Sequence, residues 1–580
     1  MIRLFKRMTK RHVAFLICLV FFITAQVVLE LTVPDYMSDI TKLVNTEGSS
    51  LADIWHCGLM MILFSILAFA SSIIARFFSS KLAASFSQHL RKQVFERVEE
   101  FSLEEINRFS TASLITRCTN DCSQIQNIMS RGLNMIIRTP IMAGYALYKI
   151  STHYWQWMVF TAASVSIMFG LLVFMIIYAH PRFRKMQSYT DSLNQVTREN
   201  MTGMRVIRAY NAESYEQEKF SKANSELTEN ALQARRAMGL MPPAVKFVNN
   251  ELNVGIYCIG AYLISSASSS VEALEIFSEM VVFSTYAARI VRAFMGMNMI
   301  FNMIPRASVS AERINEVLDT EPCIKDGTRE NGNAEGELEF RDVSFTYPGT
   351  TTEVLSDISF SAKKGETVAF IGATGSGKSS LVNLMIRFFD VTKGSVMVNG
   401  VDVRDYTQEA LHDMMGYASQ QAVLFTGTVA SNVAYAKDLV EEEVKKAVEI
   451  AQAGEFVFKM EQGIYAGINR GGSNVSGGQK QRLSVARAVY RKPQFYIFDD
   501  TFSALDYKTD RTLRTALKKE TSGVTTFIVA QRIGTIKDAD KIIVLDEGKI
   551  VGEGTHQELM KSCKVYQEIA STQLSQEELA

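Results

Sequence analysis

The sequence predicts an α-helical transmembrane domain of six spans with long cytoplasmic helical extensions, fused to an α/β domain of the P-loop class. Three observations carry this. Residues 13–29, 54–75 and 155–179 are apolar runs without Asp, Glu, Lys or Arg. The second half contains Gly372-Ala-Thr-Gly-Ser-Gly-Lys-Ser379, a match to G-x-x-x-x-G-K-[ST]. And 580 residues exceed one ordinary core. Residues 1–310 read as the membrane domain, 311–336 as a linker ending in a polar, Gly-containing loop at 326–333, and 337–580 as the P-loop domain.

Apolar residues make up 47% of the chain and charged ones 21%, with 61 basic and 61 acidic side chains. That balance excludes an intrinsically disordered chain and offers no basic excess for nucleic acid. The cysteines at 18, 57, 118, 122, 258, 323 and 563 lack paired or zinc-binding spacing, so reduced buried thiols are expected.

The first apolar run is near the minimum spanning length, and the other two are comfortable. Residues 126–148, 245–268 and 276–303 are weaker spans, each interrupted by charge or amide. Arg3, Lys6, Arg7, Lys10 and Arg11 precede the first run and place the N-terminus in the cytoplasm. A nucleotide-binding second half also belongs there, so the spans must be even in number, and six satisfies this. Segment 34–53 is acidic with one Lys, whereas 80–125 and 180–240 are rich in Lys and Arg, as outside and inside loops should be. Polar residues at membrane depth face protein or a water-filled cavity. Glu279, Arg289, Arg292, Met295 and Asn298 are therefore candidate substrate contacts in the last spans, with helix–helix pairing as the plain alternative. Segments 80–108 and 183–240 continue the second and fourth spans as amphipathic helices.

In the second half, Thr367–Ile371 reads as a buried strand, and 380–386 has apolar residues at helical spacing. The loop between them is placed to cradle phosphates through the backbone around Gly372, Thr374, Gly375, Ser376 and Gly377, aided by the helix N-terminus. Lys378 is expected to reach the β- and γ-phosphates and Ser379 to bind Mg2+, with Ser380 beside them. Tyr347 precedes the loop by some 25 residues, where its ring suits an adenine; strand-end packing is the alternative. Phe495–Asp500 is an apolar strand ending in acids, with Asp499 placed to hold Mg2+ through water. Ser476, Gly477, Gly478 and Gln479 open a helix whose N–H groups suit a phosphate. ATP and Mg2+ are the ligands this set implies.

The order Tyr347, phosphate loop, Gln420, Val475–Gln479, Asp499 and Ser503-Ala-Leu-Asp506 resembles an ATP-binding cassette (ABC) transporter, of the exporter type with six spans fused to one nucleotide domain. Phe109–Asp121 and Glu199–Tyr210 resemble that family's coupling-helix regions, about 109–121 and 199–213. The resemblance implies that Gln420 joins Ser379 and Asp499 at Mg2+ and that Asp506 lies in the D-loop. It implies that two halves close on two ATP molecules, each held between one half's phosphate loop and the other's signature (Ser476–Gln479 here). It further implies a multi-pass protein of the bacterial plasma membrane, contacting lipid and exporting small drug-like amphiphiles, with no nucleic-acid partner.

Two positions depart from the family. The residue after the strand-end Asp is normally Glu, the base that orients the attacking water; here it is Asp500. The switch residue is normally His; here it is Gln531. A carboxylate one methylene shorter sits about 1.5 Å from its working position, a displacement that costs on the order of 100-fold. Gln531 can hydrogen-bond a phosphate but cannot become a cation. The chain therefore resembles the degenerate-site half of a heterodimeric multidrug exporter, expected to bind ATP and hydrolyse it poorly. Its intact signature would serve a partner that carries the normal Glu and His. A peptide or lipid exporter or flippase is the alternative, and an ATP-gated regulatory membrane subunit a more remote one.

Overall fold

The computed structural model describes residues 2–46, 49–151 and 154–573. Its contacts fall into two units, Met1–Glu99 with Ala112–Thr320, and Glu100–Thr111 with Glu321–Ala580.

The first unit is helical: α1 (Lys10–Asn45), α2 (Leu51–Glu99), α3 (Leu133–Ser151), α4 (Trp155–Thr202), α5 (Glu213–Ser265) and α6 (Ser270–Asp319). The 48 residues of α4 and 53 of α5 reach roughly 70–80 Å, more than twice the ~30 Å hydrocarbon core. By length and composition, α1 and α2 are apolar enough to cross a membrane; Trp155–Leu171 is a shorter apolar piece. One face of α2 leaves Leu59, Ile62, Ile66, Phe69 and Ile73 exposed, the pattern of a lipid-facing helix. Pro34, Pro140, Pro181, Pro242 and Pro243 lie inside helices; Pro140 is within the span 126–148, where a bilayer leaves the backbone few alternatives to helical bonding. The linker expected from residue 311 is still helix as far as Asp319.

Ahead of α3 the helix has π turns at Arg117–Asp121 and Ile128–Gly132. The first aims two buried charged groups at α6. Arg117 Nη1 donates to Arg313 O (2.6 Å) and Glu316 (2.8 Å). Asp121 accepts from Ser310 Oγ (2.8 Å) and pairs with Arg313 at 3.4 Å. Further along α1, Glu30 accepts from Gln26 (2.7 Å) and Arg138 (2.8 and 3.0 Å) and lies 3.4 Å from Arg289. Asp35 accepts from Lys149 (2.6 Å) and Tyr286 Oη (2.5 Å). So Arg289, a candidate cavity residue, is also bound to a neighbouring helix. Met295 and Asn298 lie on α6, but their side chains fall outside the described residues.

The second unit holds two main sheets. β1 (Leu338–Phe345), β2 (Leu355–Ala362), β4 (Lys393–Val398) and β5 (Val401–Asp402) form an antiparallel sheet in the order β2-β1-β4-β5. β3 (Thr367–Ile371), β6 (Met415–Ala418), β9 (Phe495–Asp499), β10 (Thr525–Val529), β11 (Lys541–Asp546) and β12 (Lys549–Gly554) form the other, ordered β12-β11-β3-β10-β9-β6. It is parallel except for edge strand β12. β7 (Gly427–Thr428) and β8 (Gly467–Ile468) pair as a separate antiparallel ribbon. Buried Phe340, Phe345, Phe370, Leu381, Phe495 and Phe527 share one core between the sheets, so the carboxyl ends of β3, β9 and β10 are fixed side by side, where α/β sheets bind ligands.

Glu100–Thr111 contributes the short helix Leu103–Phe109 to this unit. Leu103 packs on the same core, and buried Glu105 accepts from Ser102 N (2.8 Å) and Cys323 N (3.0 Å). The polar run after Cys323 is pinned as a strap. Gly327 N donates to Tyr406 O (3.0 Å), Thr328 N and Arg329 N to Asp405 O (both 2.9 Å), and Asn333 N to Asn399 O (2.8 Å). A Cβ on Gly327 would stand 2.1 Å from Asp405 O, so a side chain there would lift the strap.

Candidate nucleotide site

The phosphate loop leaves β3 at Ile371 and enters α7 (Lys378–Met385). A Cβ on Gly372 would lie 2.0 Å from Leu545 O; Gly377, at φ +98, would meet Leu355 at 2.6 Å. Glycine is required at both positions. Lys378, buried, donates to Gly372 O (2.8 Å), Ala373 O (2.7 Å) and Ser376 Oγ (3.3 Å). Its ammonium thus lies against the loop that would carry the phosphates. Burial lowers its pKa, and Asp500 and Asp499 oppose that. Thr374, Gly375 and Ser379 are exposed, while Ser376 and Ser380 are buried. Tyr347 is held edge-on by Phe345 (4.8 Å) and Phe389 (5.3 Å), and its hydroxyl shares a 2.9 Å bond with Ser380 Oγ. The ring expected at the adenine is therefore anchored to α7.

Asp499 ends β9 with its Oδ1 buried and without a hydrogen-bond partner. Burial, reinforced by Asp500 and opposed by Lys378, pushes its carboxyl up to about 6. An oxygen-seeking cation would satisfy that orphan. With the Ser379 hydroxyl and the Gln420 carbonyl, the donors are all hard oxygens, a set that fits Mg2+. A carboxyl held near 6 is protonated below that pH and then cannot bind a cation. Affinity for Mg2+ is therefore expected to be flat above about pH 7 and to fall about tenfold per unit well below pH 6. Titrating Mg2+ into ATP-loaded protein, with Asp499→Asn as the control that removes this slope, checks it; equal slopes in both proteins would refute it. Because the folded value lies above the ordinary 3.8, ionisation costs stability as pH rises through that window. Asp499→Asn should therefore raise the melting temperature at pH 7.

Asp500 stands at φ +47, a conformation Asp tolerates better than most residues. Its Oδ2 accepts from Gln531 Nε2 (2.9 Å) and Gln420 Nε2 (3.3 Å). Burial raises its pKa, opposed by Gln420, Lys378, Ser503 and Arg532. The structure thus brings Lys378, Asp499, Asp500, Gln420 and Gln531 to one end of the sheet. Ser476 is the N-cap of α8 (Gly477–Tyr490) in a capping box with Gln479. Ser476 and Gly477 are exposed, Gly478 and Gln479 partly so. Among the described residues, none of Ser476–Gln479 hydrogen-bonds the Lys378–Asp500 cluster. Asp506 caps α9 (Tyr507–Glu520), accepting from Thr509 N at 3.0 Å.

Two glutamines that the sequence did not mark support this site. Gln481 donates to Gln420 O. At the end of α10 (Lys564–Gln573), Gln573 brackets the switch segment: its amide donates to Gln531 O (2.8 Å) and accepts from Ile533 N (2.9 Å). Gln481 lies two residues past Gln479 on α8, whereas Gln573, 42 residues from its partner, belongs to no local motif. Losing two hydrogen bonds worth about 0.5–1.5 kcal/mol each, less when exposed, frees Gln531. Gln573→Ala should weaken ATP retention by this chain several-fold, read by release of labelled ATP; an unchanged release rate would refute the bracket.

Residues 16–288 match the family described as ABC transporter transmembrane region, and residues 355–503 that described as ABC transporter. An uncharacterized ABC transporter ATP-binding protein of Mycobacterium tuberculosis is 39% identical over 493 residues, 83% of this chain and 82% of the relative. An ATP-dependent lipid A-core flippase of Pseudomonas fluorescens is 32% identical over 475 residues, 81% of this chain and 77% of the relative. A solved structure of a bacterial Atm1-family ABC exporter with ATP bound shares the fold, at a TM-score of 0.79 and 23% identity, over 98% of this chain and 100% of that one.

Proposed function

The chain belongs to the ABC transporter family, a membrane-embedded exporter half with transmembrane and ATP-binding domains fused, and from that premise we propose that it is the slow-hydrolysing half of a heterodimer. The observation that carries this is the hold of the Gln531 and Gln420 amides on the short Asp500 carboxylate. ATP with Mg2+ binds at Tyr347, the loop from Gly372 to Ser380, Gln420 and Asp499, and the signature Ser476–Gln479 completes the partner's site. The chain spans the plasma membrane six times, with its N-terminus and ATP-binding domain in the cytoplasm. The tip between α4 and α5 exposes Met201, Val206, Tyr210 and Tyr215, a surface suited to docking on a second half. The cargo is a small amphiphile. A lipid cargo is the second reading, favoured by the flippase relative.

ATPase turnover of the chain purified alone, and then with the chain that co-purifies from its native membrane, tests the pairing. Little activity alone and strong activity in the pair is the expected result. Robust turnover by the unmodified chain alone would sink it.

A further inference from the structure

The charges around Glu30 do not balance, and they lie at membrane depth. Tyr36 of α1 stacks on Phe64 of α2 (5.4 Å) and Phe22 on Phe78 (6.0 Å). Glu30, between them, is therefore level with about residue 70 of α2, within the uncharged run 54–75. Two guanidiniums share this one carboxylate: Arg138 by two hydrogen bonds and Arg289 at 3.4 Å. Arg289 Nε is buried without a hydrogen-bond partner. Arg292 lies three residues on, on the same side of α6. It donates only to Ala288 O of its own helix (3.3 Å) and pairs with no carboxylate among the described residues. Two cations thus share one anion, the exposed Arg292 adds a third about one turn along α6, and arginine does not shed its proton. By contrast, Asp35 and Lys149 match one to one.

The side of α6 that carries the surplus is not a lipid-facing one. Ser284, Thr285, Ala288 and Arg289 are half-buried there and Arg292 is exposed, whereas α2 turns the apolar Ile62, Ile66 and Phe69 outward. Uncompensated charge at such depth marks a substrate or ion path. We propose that Arg289 and Arg292, with Arg138 behind them, bind the anionic head group of an amphiphilic cargo. The apolar tail brings the anion to a depth that a free inorganic ion does not reach. This rests on the export reading and narrows its cargo to molecules bearing phosphate, sulfate or carboxylate.

The test uses the chain with its co-purifying partner in phosphatidylcholine nanodiscs, and reads ATPase stimulation. The probes are tetradecyl phosphate, tetradecylphosphocholine, tetradecyltrimethylammonium and inorganic phosphate. Tetradecyl phosphate should half-saturate at a concentration at least tenfold lower than the other two amphiphiles. Arg292→Gln should raise that concentration at least fivefold without moving the other two, and Arg292→Lys should restore much of the loss. Equal response to all three head groups, or an equal shift of all three in Arg292→Gln, would overturn the assignment and leave export standing. Saturation by inorganic phosphate alone would make this an ion site and overturn it too. Stimulation by none of the amphiphiles, with basal turnover intact, would overturn this assignment together with the amphiphile cargo of the proposed function.

Discussion

Asp500→Glu combined with Gln531→His is expected to speed hydrolysis of the ATP held by this chain by about 100-fold, the size of effect that a correction of ~1 Å at a reacting group produces. The carboxylate now accepts from Gln531 at 2.9 Å and Gln420 at 3.3 Å, so its lone pairs face amides rather than a water. One more methylene carries it beyond both, and an imidazole at 531 can hold the γ-phosphate as a cation. Neither change alone should give the full gain. Asp500→Glu leaves at 531 an amide that cannot become a cation, and Gln531→His leaves the carboxylate short. The two residues touch, so their effects should be non-additive. At φ +47 a Glu fits less well than Asp, which predicts a protein up to about 1 kcal/mol less stable yet faster. Single-turnover hydrolysis, with the partner's own base removed, reads this chain's site in isolation. If the double variant gains nothing, Asp500 already works as a base at its present length.

What the sequence made legible was what local chemistry dictates. The strand, loop and helix around Gly372–Ser379 are contiguous, and so are β9 with its two acids and the helix opened by Ser476. Each motif carries its own geometry. What stayed hidden depends on contacts across the chain. Gln573 reaches the switch segment only because Tyr566 and Ala570 seat α10 in the core that holds Ile533. The polar run 326–333 had the composition of a free loop, but its backbone donors are spent on Asp405, Tyr406 and Asn399. The stretch 109–121 looked like one region, yet Thr111 and Ala112 fall in different units. Its Arg117 and Asp121 turn toward α6 through a π turn that no periodicity announces. Arg289 could be placed at membrane depth, but Glu30, its partner 259 residues away, was not among the candidates.

Glu30→Gln is expected to be among the most destabilising single changes in the membrane half. It leaves Arg138 and Arg289 facing each other at membrane depth with no carboxylate between them. Breaking a buried ion pair from one side costs about 3–5 kcal/mol. Since Arg138 is 37% exposed against 22% for Glu30 and Arg289, the lower end, about 3 kcal/mol, applies. Lys42→Ala is the matched control. Its pair with Glu275 is 3.5 Å long and exposed at both ends, and such pairs contribute about 0–1 kcal/mol. Glu30→Gln with Arg138→Gln should recover part of the loss, because one of the two stranded cations leaves with the anion. Thermal unfolding of the three variants in the same nanodiscs distinguishes these cases. Should Glu30→Gln melt with Lys42→Ala, water must reach Glu30 freely. If instead it melts far below and the double variant lies between, one carboxylate on α1 is what lets α3 and α6 keep two arginines inside the membrane.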